Sequence, residues 1–282
     1  MPNSSIERTR SGSVGLAFIS FWACGSLAPR ASHIERWASN SMRIATWNLE
    51  RPRSGGTKKN TAIESRMATI NADVWILTET NEVISVDGFT AVPSPPVSGY
   101  HAAGENFTTV VSRWPVQRRL PTSEPSLSVC VEVMAPTGPW IVYGTIIPYA
   151  NYRGVDGTSK RWVEHRKSIE ARRLDWVRLR AEHPDHSFVV AGDFNQSRDG
   201  SGWYEDPESV MALTGALSES SLACVTQGDL SSEFKLGRST IDHICLGGGL
   251  VRKRVHVGAW PGTTESGVRI SDHNGVYVNV DA

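Results

Sequence analysis

The sequence predicts an α/β fold of the α+β kind, built on packed mixed β-sheets rather than on a purely parallel βαβ array. Three observations point there. Short apolar runs of strand length recur through the chain, only two stretches carry a clear helical period, and most neighbouring runs are joined by turns too short for a crossover helix.

Taken in order, residues 43–47 read as the first strand, ending at Asn48. A basic, glycine-containing loop follows over residues 51–59. Thr61 with Glu64 three residues on has capping-box spacing, and Ile63, Met67 and Ile70 make one helical face. Residues 74–77 form the next buried strand, predicted to stop at Thr78, Glu79 and Thr80. Residues 107–111, 129–134 and 140–147 are further strands; in the second, Val129, Val131 and Val133 alternate with Cys130, Glu132 and Met134. Trp162, Ile169, Trp176 and Leu179 repeat at helical spacing and predict one long amphipathic helix over residues 159–182. After a Pro-Asp loop, residues 188–191 run straight into Gly192, Asp193, Phe194 and Asn195. Residues 241–246, 251–257 and 276–280 complete the strands, and the body of the chain holds no internal repeat.

With 282 residues, 39% hydrophobic and 21% charged, the chain suits one large globular domain or two small ones. Lys and Arg balance Asp and Glu at 29 each, which excludes a global field drawing the protein to polyanions, so any phosphate recognition is local. Cys24, Cys130, Cys224 and Cys245 are scattered and lack CxxC spacing, so neither a zinc site nor a disulfide scaffold is expected. Residues 1–41 read as a separate extension, disordered or signal-like. Arg8 and Arg10 precede an apolar stretch, residues 14–24, too short to span a bilayer as a helix. It is either a signal-peptide core or an extension upstream of Met42; the second reading is favoured, with a cytoplasmic location, and export follows from the first. The domain proper is expected over residues 42–282.

Several polar residues stand beside the apolar runs. Singly, each has an ordinary reading: Asn48 as a turn residue, Asp193 and Asn195 as an Asx turn, His273 as a structural histidine. Glu79 is less ordinary, because a carboxylate at the edge of a buried strand needs a partner, and Asp242 inside the run 241–246 needs a His or Arg. Asp272 and His273, adjacent just before the last strand, make little sense as packing. Jointly they suggest a site for a hard cation. Mg²⁺ prefers oxygen ligands, keeps several waters and needs only one or two protein carboxylates plus substrate phosphate. Asn48, Glu79 and Asp272 suit that demand, Asp193 can deprotonate an attacking water, and a cationic His273 held by Asp242 can stabilise developing charge on phosphate.

In order along the chain, Trp47-Asn48, Leu77-Thr78-Glu79-Thr80, Gly192-Asp193-Phe194-Asn195, Ile241-Asp242-His243 and Ser271-Asp272-His273 resemble the motifs of the endonuclease/exonuclease/phosphatase superfamily, the DNase I-like proteins. That group includes abasic-site endonucleases, neutral sphingomyelinases and inositol polyphosphate 5-phosphatases, and the resemblance spans about residues 42–282. It implies a four-layer sandwich of two β-sheets covered by helices, with the site at one rim. It implies Asn48 and Glu79 as metal ligands with Asp272 assisting, Asp193 as water activator, Asn195 holding a phosphate oxygen or the nucleophile, and His273 with Asp242 on the scissile phosphate. It also implies in-line attack by water without a covalent intermediate, with Mg²⁺ as cofactor and Mn²⁺ as the alternative. Many relatives carry a Tyr or His where this chain has isoleucine in the stretch 144–151; either Tyr149 or Asn151 substitutes, or nothing does and the leaving-group acid is metal-bound water.

The substrate is a phosphate ester, with DNA or RNA favoured. Arg166 is the cation of the long helix expected to turn toward it, and the basic loop 51–59 is either a polyanion contact or a solvated loop. No insertion resembles a membrane-docking hairpin, so stable membrane insertion is not expected, and the chain is expected to act as a monomer. The readings kept beside a nuclease-type phosphodiesterase are an inositol-phosphate or lipid head-group phosphohydrolase and a non-catalytic binding module on the same fold.

Overall fold

The structure, a computed structural model, describes residues 41–253 and 255–281. The reading of residues 1–40, and of Cys24 among them, lies outside the described residues.

Twelve strands among the described residues form two six-stranded mixed sheets. The first sheet runs β11 (Val255–Trp260), β12 (Gly275–Asp281), β1 (Ser41–Asn48), β2 (Val74–Asn81), β4 (Glu105–Ser112), β3 (Thr90–Pro93). The second runs β5 (Val116–Leu120), β6 (Ser128–Ala135), β7 (Gly138–Ile146), β8 (Ser187–Asp193), β10 (Asp242–Gly247), β9 (Leu222–Cys224). Each sheet contains one parallel pair, β1 with β2 and β7 with β8, and each of those pairs is bridged by a helix. These are α1 (Thr57–Ile70) and α2 (Val163–Glu182). Every other pairing is antiparallel.

The period-2 alternation of the strands sorts their side chains into separate cores. Ile44, Ile76 and Val110 of the first sheet meet Val131, Val142, Val189 and Ile244 of the second in the central layer. On the outer face of the first sheet, Ala45, Trp47, Trp75 and Trp260 pack with Ile63 and Met67 of α1. On the outer face of the second, Cys130, Ile141, Tyr143 and Val190 pack with Ile169, Trp176 and Leu179 of α2 and with Leu213 and Leu217 of α3 (Pro207–Glu219). The result is the four-layer sandwich, with each buried Val, Ile or Leu worth roughly 1.5–3 kcal/mol of transfer free energy.

The local expectations needed several corrections. The helix α1 starts at Thr57 behind Gly56, so Thr61 lies inside it and the Thr61–Glu64 capping box does not form. The long helix starts at Val163 rather than 159, because Trp162 takes a left-handed conformation (φ 68°) that interrupts it. Strand β2 continues through Glu79 to Asn81 instead of stopping. The stretch 251–257 divides into a 3₁₀ turn, Gly248–Arg252, and β11. A further helix, α3, begins with Pro207 at its first turn and Asp206 as its cap, whose side chain accepts the Ser209 N–H. A short helix, α4 (Leu230–Phe234), precedes β10.

Candidate active site

The sheet seam gathers the candidate residues at the ends of β1, β2, β8 and β10 and at the turn into β12. Asp193 and Asp242 are the last residue of β8 and the first of the antiparallel β10, and they face each other in register. Two carboxylates so placed repel unless something cationic or a proton intervenes. His273 supplies the cation. Its Nδ1–H donates to Asp242 Oδ2 at 2.6 Å, and its Nε2 lies 3.9 Å from Asp193 Oδ2. Burial alone would lower the His273 pKa, but the charges of Asp242 and Asp193 outweigh it and hold the imidazolium to about 10. Asp193 moves the other way from an ordinary carboxylate. Burial raises it to about 7, with Asp242 adding to the rise and His273 opposing it.

Asn195, just past β8, sits in a left-handed conformation (φ 47°) that folds its side chain back over Asp193. Its backbone N–H donates to Asp193 Oδ1 at 2.8 Å, and its Nδ2 donates to Asp193 Oδ2 at 3.1 Å and to Ile147 O at 2.9 Å. Gly192 makes this approach feasible: it holds φ 142°, and a Cβ there would lie 1.8 Å from Thr145 O on the parallel neighbour β7. From the first sheet, the buried Asn48 reaches across the seam, donating through Nδ2 to Asp193 Oδ2 at 3.1 Å and to Glu79 Oε1 at 3.3 Å. Its Oδ1 accepts the Glu50 N–H. Glu79 is itself left-handed (φ 48°) although it lies within a strand, an uncommon state for a non-glycine residue. Glu50, Arg51, Glu79 and Asn195, four of the eight described non-glycine residues with positive φ, thus surround this one site.

The turn that carries Asp272 and His273 is stitched to β1. Ser271 Oγ donates to Asn48 O at 2.6 Å and accepts the His273 N–H, while Trp47 Nε1 donates to His273 O at 3.1 Å. Asp272, half exposed, comes within 3.9 Å of His273 Nε2 and 3.8 Å of Arg269. Sequence reading missed Arg269 and Glu50. Arg269 also pairs with Glu50, which takes Lys59 on its other side at 3.3 Å. The position of Arg269, three residues before Asp272, is the signal that could have found it.

The candidate substrate residues fare differently. Arg166 does not turn inward: Asp206 at 3.0 Å and Glu208 at 3.1 Å hold it at the junction of α2 with α3. The inward residues of α2 are His165, whose Nδ1 meets Pro148 O at 2.8 Å, and Arg172, which binds Thr145 Oγ1 at 3.0 Å and Ile146 O at 3.2 Å beneath the site. Tyr149 and Asn151 lie exposed on the loop after β7, which the Ile147 carbonyl ties to Asn195. Arg51 lies 3.4 Å from Glu79 and stacks on the exposed ring of Tyr100.

As donors, Asn48, Glu79, Asp193 and Asp272 offer the hard oxygens that Mg²⁺ takes, and ligand atoms of Asp193, Asp242 and His273 all lie within 4.8 Å of one another. The buried Asp242 Oδ1 has no hydrogen-bond partner among the described residues, a polar atom left for something else to satisfy. The chemistry of the donor set fits a divalent cation at this rim.

A two-sheet sandwich with a buried acid–histidine cluster at one rim defines the class of DNase I-like proteins. The profile of the Endonuclease/Exonuclease/phosphatase family matches residues 45–273, and the chain belongs to that family. No curated protein sequence matches it. Among solved structures it is similar to the AP endonuclease LMAP from Leishmania major, with a TM-score of 0.67 at 16% identity over 91% of this chain and 92% of that one. It is also similar to a humanized D. rerio TDP2 (TM-score 0.61, 14% identity, 86% and 100% of the two chains) and to the 3' phosphatase NExo from Neisseria bound to a product DNA hairpin (0.59, 16%, 86% and 100%).

Proposed function

We propose that this protein is a divalent-metal-dependent phosphohydrolase, a nuclease-type phosphodiesterase that cleaves by in-line attack of water and works with Mg²⁺ or, alternatively, Mn²⁺. The observation that carries the reading is the cluster of Asp193, Asp242 and His273, whose ligand atoms all lie within 4.8 Å of one another beside the buried Asn48. Asp193, raised to about 7, is an efficient base near neutral pH, and His273, held to about 10, stays cationic beside it. Asn48, Glu79 and Asp272 hold the cation, which supplies Lewis-acid neutralisation of phosphate charge when bound. Asp193 takes a proton from the attacking water as its oxygen closes on phosphorus. Asn195 keeps Asp193 fixed through two hydrogen bonds and orients the nucleophile. His273 donates through Nε2–H to a non-bridging phosphate oxygen, and its charge gains value as negative charge builds in the transition state.

Nucleic acid is the favoured ester. Half-exposed aromatic rings stand on loops flanking the rim, Tyr100 beside Arg51 on one side and Tyr149 and Trp203 on the other. Rings of this kind stack on bases without reading sequence. The test is a substrate panel of single- and double-stranded DNA, RNA, bis-p-nitrophenyl phosphate and inositol phosphates, run with and without Mg²⁺, with Asp193→Asn as control. Metal-dependent cleavage of nucleic acid, lost in the variant and weakening steeply with salt, is expected. Hydrolysis of inositol phosphates alone overturns the nuclease assignment, and no hydrolysis of any ester overturns the enzyme.

A further inference from the structure

Sequence reading set the cysteines aside as scattered, but the fold brings two of them face to face. Cys224 ends the edge strand β9, only three residues long, and stands directly opposite Cys245 of β10. The next pair in that ladder, Val225 with Ile244, is joined by a backbone hydrogen bond of 3.0 Å. In an antiparallel ladder the two kinds of pair alternate, so the cysteines form a non-hydrogen-bonded pair, the kind with Cα atoms about 4.5 Å apart. A disulfide accepts Cα separations of roughly 4.4–6.8 Å. Both side chains point into the same layer, beneath α3.

We propose that Cys224 and Cys245 form a redox modification site, a dithiol that hydrogen peroxide converts to a cross-strand disulfide clamping β9 onto β10. The Cys224 sulfur attacks one peroxide oxygen, the O–O bond breaks, and the departing hydroxide leaves as water with the Cys224 proton. The Cys245 sulfur then attacks the resulting sulfenic sulfur, the S–O bond breaks, and hydroxide leaves as water with the Cys245 proton. Two thiols lose two electrons and one peroxide becomes two waters.

The order of attack follows from the environment. Cys224, on the edge strand, is the less deeply buried of the two, 6% exposed against 0% for Cys245. Cys224 therefore meets peroxide first and is the attacking sulfur, and Cys245 is the resolving one. The edge position supplies access, since a short terminal strand opens locally more readily than the sheet centre. Cys130 belongs to the same layer but stands opposite Tyr143, and burial raises its thiol, so it is the internal control that stays reduced.

The clamp acts on the strand that carries Asp242, three residues before Cys245. On the same ladder Thr226 Oγ1 lies 3.3 Å from His243 Nδ1, and the His243 Nε2 meets the carbonyl of Gln196, the residue after Asn195, at 3.0 Å. Pinning β9 therefore stiffens the support of both catalytic loops. The proposal does not depend on the reaction assigned to the site.

The experiment treats the full-length protein with hydrogen peroxide, blocks remaining thiols natively, and maps non-reduced peptides by mass spectrometry, with the Cys24 peptide scored separately. A linked 224–245 peptide, released by dithiothreitol, with Cys130 still alkylatable after denaturation, is expected. Closing the twenty-residue loop between the cysteines raises Tm by roughly 6 °C, reversed by reduction. Cys245→Ser yields a dimedone-reactive sulfenic acid at Cys224, whereas Cys224→Ser yields none at Cys245. Absence of the linked peptide in folded wild-type protein, or linkage through Cys130 to a similar extent, overturns the assignment, and this readout does not require either variant to fold.

Discussion

Asp242→Asn isolates what the His273–Asp242 pair does, because it keeps the shape of the side chain and removes its charge. The Asp242 and Asp193 carboxylates hold the imidazolium to about 10, against an ordinary histidine near 6.5, a difference of about 5 kcal/mol in favour of the charged ring. Without the Asp242 charge and its hydrogen bond the larger part of that support is lost, leaving Asp193 to set against the burial that opposes it, so the ring titrates near roughly 6.5. At pH 8.5 its cationic fraction then drops from nearly all to about one part in a hundred, and at pH 7 to about one part in four. The expected loss of kcat is therefore about 100-fold at pH 8.5 and only about two- to fourfold at pH 7, where the wild type is itself limited by half-protonated Asp193. On the proposed mechanism, which needs Asp193 unprotonated and His273 protonated, the wild type is expected to show a plateau between about 7 and about 10. In the variant the alkaline limb moves down by some three pH steps, and the acid limb also moves down because Asp242 no longer raises Asp193. The assay is a pH profile of kcat on bis-p-nitrophenyl phosphate at saturating Mg²⁺, with circular dichroism to confirm the fold. A loss of the same size at every pH, with the alkaline limb unmoved, refutes the argument.

The remaining predictions use the same contacts. Asp193→Asn removes the base and lowers kcat by about 10³-fold while leaving the melting temperature at pH 8 unchanged or higher, since an ionised buried carboxylate is gone; calorimetry and turnover together check this. Glu79→Gln raises the Mg²⁺ concentration for half-maximal activity roughly tenfold or more, whereas His273→Asn chiefly lowers kcat; a metal titration in which both move alike ends that division of roles. Gly192→Ala destabilises the protein by on the order of 3 kcal/mol or more, read from denaturant midpoints, because its Cβ meets Thr145 O at 1.8 Å. The His273 interaction has a stability signature as well. A folded-state pKa raised from 6.5 to about 10 means that its contribution is complete below pH 6.5 and is lost as pH climbs through 10, so chemical denaturation across that window reports it.

Most strands of the two sheets were legible as short apolar runs, though β3 and β9, three or four residues long, were not, and the polar residues at the strand ends were legible because an acid beside a buried run has no packing rationale. Other features were hidden for physical reasons. Strand β5 is an edge strand whose Gln117, Arg118 and Arg119 face solvent, so it lacks the alternation that betrays a half-buried strand. The left-handed turn at Glu79 was invisible, because positive φ is read from Gly or Asn and a carboxylate gives no hint of it. On α2, helical spacing named the buried aromatics but did not distinguish His165 or Arg172 from Arg166. What decides among them is Asp206, a cap on a helix forty residues away. The start of that helix, Asp206-Pro207-Glu208-Ser209, carried a readable capping signal and marks the one helix that patterning alone should have recovered.

The assembly of the site explains why single residues looked ordinary. Asp193 and Asp242 are brought together by strand register within one sheet, an arrangement that is unfavourable on its own because it places two carboxylates side by side in a buried position. The compensating cation and the amide of Asn48 both come from the other sheet, His273 from the turn into β12 and Asn48 from the end of β1. Packing the sheets together therefore neutralises the acids and builds the arrangement proposed to be catalytic in one step. The same coupling runs backwards: any change that loosens the stitch between Ser271 and Asn48 or between Trp47 and the His273 carbonyl withdraws the cation from two buried carboxylates. One of the two must then take up a proton. Asp193, already raised to about 7, is the one expected to do so, and on the proposed mechanism activity is then expected to fall before the fold is lost.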